Sequence, residues 1–496
     1  MKIVAIVWQS GNTRTPDPTI FPAYRSTLIS QTLSTETGQS SILPQLWRWG
    51  LVILLPLLAG LWTWHAGFDP KIVAFSSITL TALILWALEL LPDAVVALAL
   101  PVVYILCGVG PNTKILGPWT GSIGWLILGG LMIGAFMVKT GLARRLALSC
   151  INLMGGSLSR LLAGLLLSGL LMAPFIPSVM GRSAIIAVIC VGICEALSIK
   201  KGSREGAAVL LAGFIAVSGP KICFLTGGAD LAMGMKLTSQ AMGAQISWGQ
   251  YALHNFLPAV LYSVISLACV IVLLRPRLEE DTRTVVQEQL RKLAPMSNDE
   301  RKSAFLLALL FLFLVTDKIH RIDVGWIMLL LPCAAFLPGV RLLNSDDMRK
   351  LNYPAVLFAV GCMTIGSAAM SCGMDNILSK ALLPLMQGTE FYTVMATYVS
   401  GVLLNLLLTP MAAYASLTAS VVEIAQHLQV SPLLLVYTFS YGLDQYIFPY
   451  EYAILLYFYA TGYIRIKQIM LVLGIRMALA ALFVAFVAYP YWKLFL

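Results

Sequence analysis

From Trp49 onward the chain is a succession of apolar runs separated by short polar connections. A helix crossing a hydrocarbon core of about 30 Å takes about 17–25 such residues. The pattern predicts spanning helices over 49–66, 72–91, 94–109, 122–142, 251–274, 303–317, 323–340, 353–373 and 467–490. Alternating runs of about ten residues do not occur, which removes a β-barrel. Two apolar runs are broken by polar residues and proline. LMAPFIPSVMGRSAIIAVIC, Leu171 to Cys190, holds Pro174, Pro177, Ser178, Gly181 and Arg182, and LLNLLLTPMAAYASLTASVV, Leu403 to Val422, holds Thr409 and Pro410. They predict re-entrant hairpins over 158–196 and 390–425, each followed by an interrupted span, 205–240 and 431–461. Irregular backbone at membrane depth is tolerated only under protein or beside an aqueous cavity. Paired breaks in two halves of a chain point to a transporter's binding site. The expected fold is an all-α polytopic membrane protein, with about eleven transmembrane helices plus two re-entrant hairpins in an inverted repeat.

The repeat is visible directly. GGLMIGAFMVKTGL from Gly129 and GCMTIGSAAMSCGM from Gly361 align at an offset of 232, which pairs Gly129, Gly134 and Gly141 with Gly361, Gly366 and Gly373. The same offset carries Pro177 onto Thr409 and Ser178 onto Pro410, so the two breaks coincide. The organisation expected is a tail at 1–46, scaffold helices at 47–121, and a first transport half at 122–250. Scaffold helices with a cytoplasmic loop (275–302) follow at 251–350, then a second transport half at 351–463 and a last helix at 464–496.

Composition agrees: 59% of the 496 residues are hydrophobic and 11% charged, far from a soluble domain. The net charge of +10 is no nucleic-acid signal, because the Lys and Arg sit in short connections. With the N-terminus cytoplasmic, the inner connections hold twenty of them and the outer ones six, a strong positive-inside bias. Residues 1–46, rich in Ser, Thr, Pro and Gln, are expected to be a disordered cytoplasmic tail. Cys190 and Cys194 share a helix face but lack further ligands, and the other Cys read as buried thiols. His65, His254, His320 and His427 are not expected to be ligands, and no cofactor or resident metal is expected. Trp47, Trp49, Trp62 and Trp64 read as an interfacial belt.

Several strings resemble the divalent anion:sodium symporter family, whose members carry di- and tricarboxylates or sulfate. WLILGGLMIGAFMVKTGLARRLAL is similar to the helix entering that family's first hairpin. APFIPSVMGRSAII is similar to its first hairpin tip, nearest the citrate and 2-oxoglutarate/malate branch, and FLTGGADLAMG, Phe224 to Gly234, to a following landmark. The resemblance runs from about residue 50 to the C-terminus. It implies a secondary transporter in a bacterial inner membrane, a homodimer among membrane lipids. Its hairpin domain would move elevator-fashion, with a small anionic substrate and a proton or sodium as coupling ion. Ser178, Gly181, Arg182, Thr226, Gly227, Thr409 and Met411 fall on substrate-binding positions.

The departures matter. Where the family carries Ser-Asn-Thr at each tip, this chain reads Ser178-Val179-Met180 and Thr409-Pro410-Met411, and Asp230-Leu231 stands for Pro-Asn. Val, Met, Pro and Leu offer no side-chain oxygen to a hard cation, which weakens the case for sodium. Meanwhile Lys221 and Asp230 flank the first interrupted span's break, and Asp444 and Glu451 the second's. Intramembrane charges cost about 2.5–3.5 kcal/mol on insertion scales, so they pair or face a cavity. Three readings stay open: Lys221 replaces a bound cation, a carboxylate carries a proton, or the groups staple the two breaks together. Arg182, at the start of a hairpin helix, is either a bidentate fork for an anion or a brace on backbone carbonyls. An anion transporter is the leading function; the alternative is a polytopic protein that no longer transports and serves as a sensor or assembly partner. No constellation of catalytic residues is present, so an enzyme is not expected.

Overall fold

The computed structural model describes residues 43–88, 90–154, 156–277, 282–406 and 408–496. The tail expected over 1–46 therefore lies, for residues 1–42, outside the described residues. Among the described residues every regular element is helical: α1 (Leu43–His65), α2 (Pro70–Ala87), α3 (Asp93–Leu106), α4 (Ser122–Thr140), α5 (Leu142–Met154), α6 (Leu158–Met172), α7 (Val179–Ala196), α8 (Arg204–Ser218), α9 (Ala229–Met242) and α10 (Trp248–Leu274). There follow α11 (Thr282–Arg291), α12 (Asn298–Val315), α13 (Val324–Cys333), α14 (Tyr353–Cys372), α15 (Met374–Met386), α16 (Glu390–Asn405), α17 (Pro410–His427), α18 (Pro432–Leu443), α19 (Ala453–Tyr459) and α20 (Ile466–Phe483). Eight helical segments are long and apolar enough to cross a membrane, with four shorter apolar ones beside them. The protein is an all-α polytopic membrane protein. The regions expected as hairpins and interrupted spans are broken at the anticipated places: between α6 and α7, α8 and α9, α16 and α17, and α18 and α19.

The offset of 232 holds through four consecutive elements. α4, α5, α6 and α7 correspond to α14, α15, α16 and α17, each within about two residues at both ends. α4 and α14 both end on a left-handed glycine, Gly141 (φ 86) and Gly373 (φ 78), a conformation that glycine adopts without a Cβ penalty. The halves interlock: α3 packs on α14 of the other half, and its counterpart α13 packs on α4. Close approach at these crossings is what requires the repeat glycines. A Cβ on Gly129 would lie 1.9 Å from the Met328 carbonyl oxygen, and one on Gly361 2.4 Å from Ala97 Cβ. Gly169 and Gly401, again 232 apart, let α6 and α16 approach α8 and α18; a Cβ at Gly169 would meet the Ala216 carbonyl at 1.7 Å.

Three helices are additional to those expected: α5, α15 and, inside the 275–302 loop, α11. α5 and α15 link a spanning helix to each hairpin, and α5 is tied down by Arg145, whose Nε donates to Glu300 Oε1 (2.6 Å) and whose Nη2 donates to Ala294 O (2.6 Å). Glu300 also closes a capping box with Ser297 at the start of α12. The Arg145 guanidinium holds the Glu300 carboxyl below its ordinary value of 4.5. α10, expected among the scaffold helices, packs on α8, on the first break and on α20.

Candidate functional site

Each interrupted span contributes backbone ends as well as charge. After α8 the chain tightens into a 3₁₀ turn, Gly219–Cys223, and restarts at α9. Lys221 lies in the last turn of the first piece and Asp230 in the first turn of the next, each on the end of a helix whose dipole favours it. Asp444 caps the C-terminus of α18, where the dipole disfavours an anion, so it depends on cations. They are present. Lys221 Nζ lies 3.0 Å from Asp230 Oδ2 and 3.3 Å from Asp444 Oδ1, and 5.3 Å above the Tyr452 ring. Arg476 of α20 pairs with Asp444 Oδ2 and donates to the Tyr262 hydroxyl and to Ser266 Oγ (3.1 Å). Tyr262 donates to Asp444 Oδ2 (3.0 Å) and accepts from Gln445 Nε2 (2.9 Å). Lys221, Asp230, Asp444 and Arg476 are all buried, with exposures of 4%, 8%, 0% and 1%. Two cations and two anions sum to zero, which is how ionised groups survive in so dry a place.

Glu451 stands apart. Its Oε2 accepts from the Ile447 amide (2.8 Å), inside its own loop, and it makes no ion pair among the described residues. It does not join Lys221 as the sequence suggested, because the 3₁₀ turn Pro449–Glu451 folds its carboxylate back onto local backbone. Arg476, Tyr262 and Gln445 are the members that sequence reasoning misses. Arg476 carries a usable signal, a lone cation inside the apolar run LVLGIRMALAAL.

Arg182 has a different role from the anion fork. It is fully buried, and its four terminal N–H groups serve four carbonyls: Nη1 donates to Ala173 O (3.3 Å) and Ile176 O (2.7 Å), Nη2 to Val217 O (3.1 Å) and Gly227 O (2.7 Å). These are the carbonyls that the ends of α6 and α8 and the first break leave without helical partners. This is the geometry of the brace reading of Arg182 rather than of the fork. Thr226 and Gly227 go with it rather than facing a substrate: Thr226 donates to Pro174 O (2.8 Å) and accepts from Trp248 Nε1 (3.1 Å). Gly227 folds so tightly that a Cβ would lie 2.0 Å from the Lys221 carbonyl oxygen.

The remaining expected substrate residues lie at the tips and are partly or fully accessible. Ser178 Oγ caps α7 through the Gly181 amide (3.1 Å), and Thr409 Oγ1 caps α17 through Ala412 N (3.4 Å). Ser178, Gly181 and Met411 are half-buried and Thr409 is exposed. The first tip rests on α4, where a Cβ on Gly130 would lie 2.5 Å from Pro177 Cδ. Among the described residues no three His, Cys, Asp or Glu side chains gather as a metal set. Ser218 Oγ and Gln445 Oε1 are buried oxygens without a hydrogen-bond partner among the described residues, donors of the hard type.

Residues 44–496 match the family described as "Sodium:sulfate symporter transmembrane region". The chain belongs to this family. The resemblance to divalent anion:sodium symporters is thereby borne out, and the family is one of membrane transporters, not enzymes. A membrane protein of Cupriavidus necator is 26% identical over 262 residues, 51% of this chain, and the chain spans half the length of that relative (50%). The L-tartrate/succinate antiporter of Escherichia coli strain UTI89 is 25% identical over 453 residues, 84% of this chain and 90% of that protein. The solved structure of the Alcanivorax borkumensis YdaH transporter shares the fold, with TM-score 0.50 and 16% identity over 77% of this chain and 88% of that one.

For a member of the sodium:sulfate symporter family, the arrangement separates two tasks. Hydroxyls, helix N-termini and apolar side chains at the tips are accessible, while Lys221, Asp230, Asp444 and Arg476 are internal and already paired. Such a site can meet an anion with backbone N–H groups and hydroxyls, beside a buried and internally paired charge network.

Proposed function

We propose that the protein is a secondary active transporter of small divalent anions, organic di- or tricarboxylates or sulfate, across a bacterial inner membrane with its N-terminus cytoplasmic. The tip residues Ser178, Gly181, Thr409 and Met411 receive the anion. The hairpin-bearing helices α6–α10 and α16–α20 move as one elevator-like body against α1–α4 and α12–α14. The observation that carries the mechanism is Lys221 between Asp230 of the first break and Asp444 of the second. A fixed ammonium there joins the breaks without a mobile cation, so the carrier works best as an exchanger, one anion in for one out. Asp444, already matched by Lys221 and Arg476, is not the group that carries a coupled proton. The tartrate/succinate antiporter among the relatives agrees with exchange. Reconstitution into liposomes with labelled succinate, malate, citrate and sulfate tests the function. Saturable uptake of at least one is expected; uptake of none, in vesicles that hold folded protein, would favour the sensor alternative.

A further inference from the structure

One cleft lies apart from both the hairpin tips and the buried charge network. It encloses about 260 Å³ on the seam between the start of α4 and α13 on one side and α9 on the other, beside the 316–323 connection. Its floor is apolar: Ile123, Leu126, Leu225 and Met235. Its basic members are Lys236, Lys318 and Arg321. Asp317 and Asp323 also line it; Asp323 is engaged through both oxygens, while Asp317 keeps Oδ1 without a hydrogen-bond partner among the described residues. Asp323 caps α13 through the Gly325 amide (2.8 Å) and takes Lys236 Nζ at 2.8 Å, and Asp317 accepts from the Trp248 amide. Lys318 and Arg321 are exposed and make no ion pair among the described residues. α4 begins beside the cleft without a side-chain cap. Leu225 on the floor precedes Thr226, whose hydroxyl holds the hairpin through Pro174.

We propose that this cleft is an anion-capture site at the mouth of the substrate path. It takes the carboxylate of a small organic acid on Lys318 and Arg321, with the acid's hydrocarbon part on the apolar floor. Sulfate has no hydrocarbon to fill that floor and is the poorer ligand. The Lys236–Asp323 pair joins α9 to α13 across the seam, so motion of the two bodies opens or closes the site by breaking or making it. The proposal rests on the transporter reading and names where its substrate is first held.

The test uses the full-length protein, with radiolabelled succinate and sulfate as probes. Lys318→Gln with Arg321→Gln removes two exposed charges outside the buried network, so thermal stability should be unchanged. In liposomes, KM for succinate should rise about five- to tenfold when it is presented on the face bearing the 316–323 connection, with kcat unchanged. Two partly screened charges carry roughly that effect, and high salt should erase it. Succinate presented on the opposite face should show no change. Direct binding of succinate to detergent-solubilised protein should weaken by the same factor, and sulfate should bind the unsubstituted protein more weakly than succinate. An unchanged KM and unchanged binding in the double variant overturn the capture site while the transporter reading stands. Sulfate binding as tight as succinate overturns the organic-acid assignment. Unsubstituted protein that neither binds nor transports either probe overturns both readings together.

Discussion

Lys221 Nζ lies 3.3 Å from Asp444 Oδ1, a contact between residues 223 positions apart that ties the break of one half to the break of the other. Asp230 completes it at 3.0 Å, so one ammonium is shared by a carboxylate from each half.

Removing Lys221 should therefore be costly, and the cost should be reversible. Lys221→Met leaves two buried carboxylates with only Arg476 between them, and losing one partner of a buried pair costs about 3–5 kcal/mol. A large fall in the thermal midpoint of the detergent-solubilised protein is expected. Lys221→Met with Asp230→Asn restores neutrality and should recover most of the loss. A double variant no more stable than the single one would mean that the ammonium is not a staple.

Arg182→Ala should damage folding before it damages transport. Each buried acceptor left unpaired costs about 1–3 kcal/mol, and four carbonyls lose their donors. Folded yield and thermal midpoint should both drop, and Arg182→Lys, with a single nitrogen in place of the fork, should recover only part. A fully stable Arg182→Ala protein that has lost uptake would restore the anion fork.

The interlocking halves give a symmetric pair of variants. Gly129→Ala and Gly361→Ala should each destabilise by about 1–3 kcal/mol, because the new methyl meets Met328 backbone or Ala97. Gly129 should be the worse, since its obstacle is a carbonyl that cannot turn away. Gly474→Ala in α20 has nothing within 4 Å and should be neutral or slightly stabilising, by up to about 1 kcal/mol. Thermal midpoints of the three variants, measured side by side, check this order.

Outside the membrane, the Arg145–Glu300 contact should show in the pH profile. Arg145 holds the Glu300 carboxyl below 4.5, so its contribution is complete above that value and is lost as pH falls through the lowered folded-state value. As pH falls from 7 to below 4.5 and on through the lowered value, the wild-type midpoint should fall more than that of Glu300→Gln, which should be less stable at pH 7. Parallel profiles would show that the contact adds nothing.

The hairpins are legible because a bilayer admits proline beside polar residues inside an apolar run chiefly where the helix breaks: Pro174, Pro177 and Pro410 mark those breaks closely. The repeat is legible because close helix contact demands glycine, at Gly129 and Gly361 alike. α5 and α15 are not, because helices of thirteen residues fall short of a span and merge with connections. The role of Arg182 is hidden for a different reason. Two of its four carbonyls, at Val217 and Gly227, come from 35 and 45 positions along the chain, and no local pattern records that approach. The partners of Asp444 are hidden likewise, although Arg476, alone in an apolar run, carries the same signal as Lys221.

The proposed mechanism, with Lys221 joining the breaks as a fixed cation, requires exchange without a coupled ion. Counterflow in liposomes tests this most directly: vesicles loaded with unlabelled succinate, labelled succinate outside, sodium absent and pH equal on both sides. Accumulation of label is expected, unchanged when sodium or an inward proton gradient is added, and lost when the vesicles start empty. Uptake into empty vesicles driven by sodium would contradict the fixed-cation mechanism and give Ser218 and Gln445 a cation to hold. Uptake driven by the proton gradient and abolished in Glu451→Gln would contradict it equally, and assign the coupling to that carboxylate.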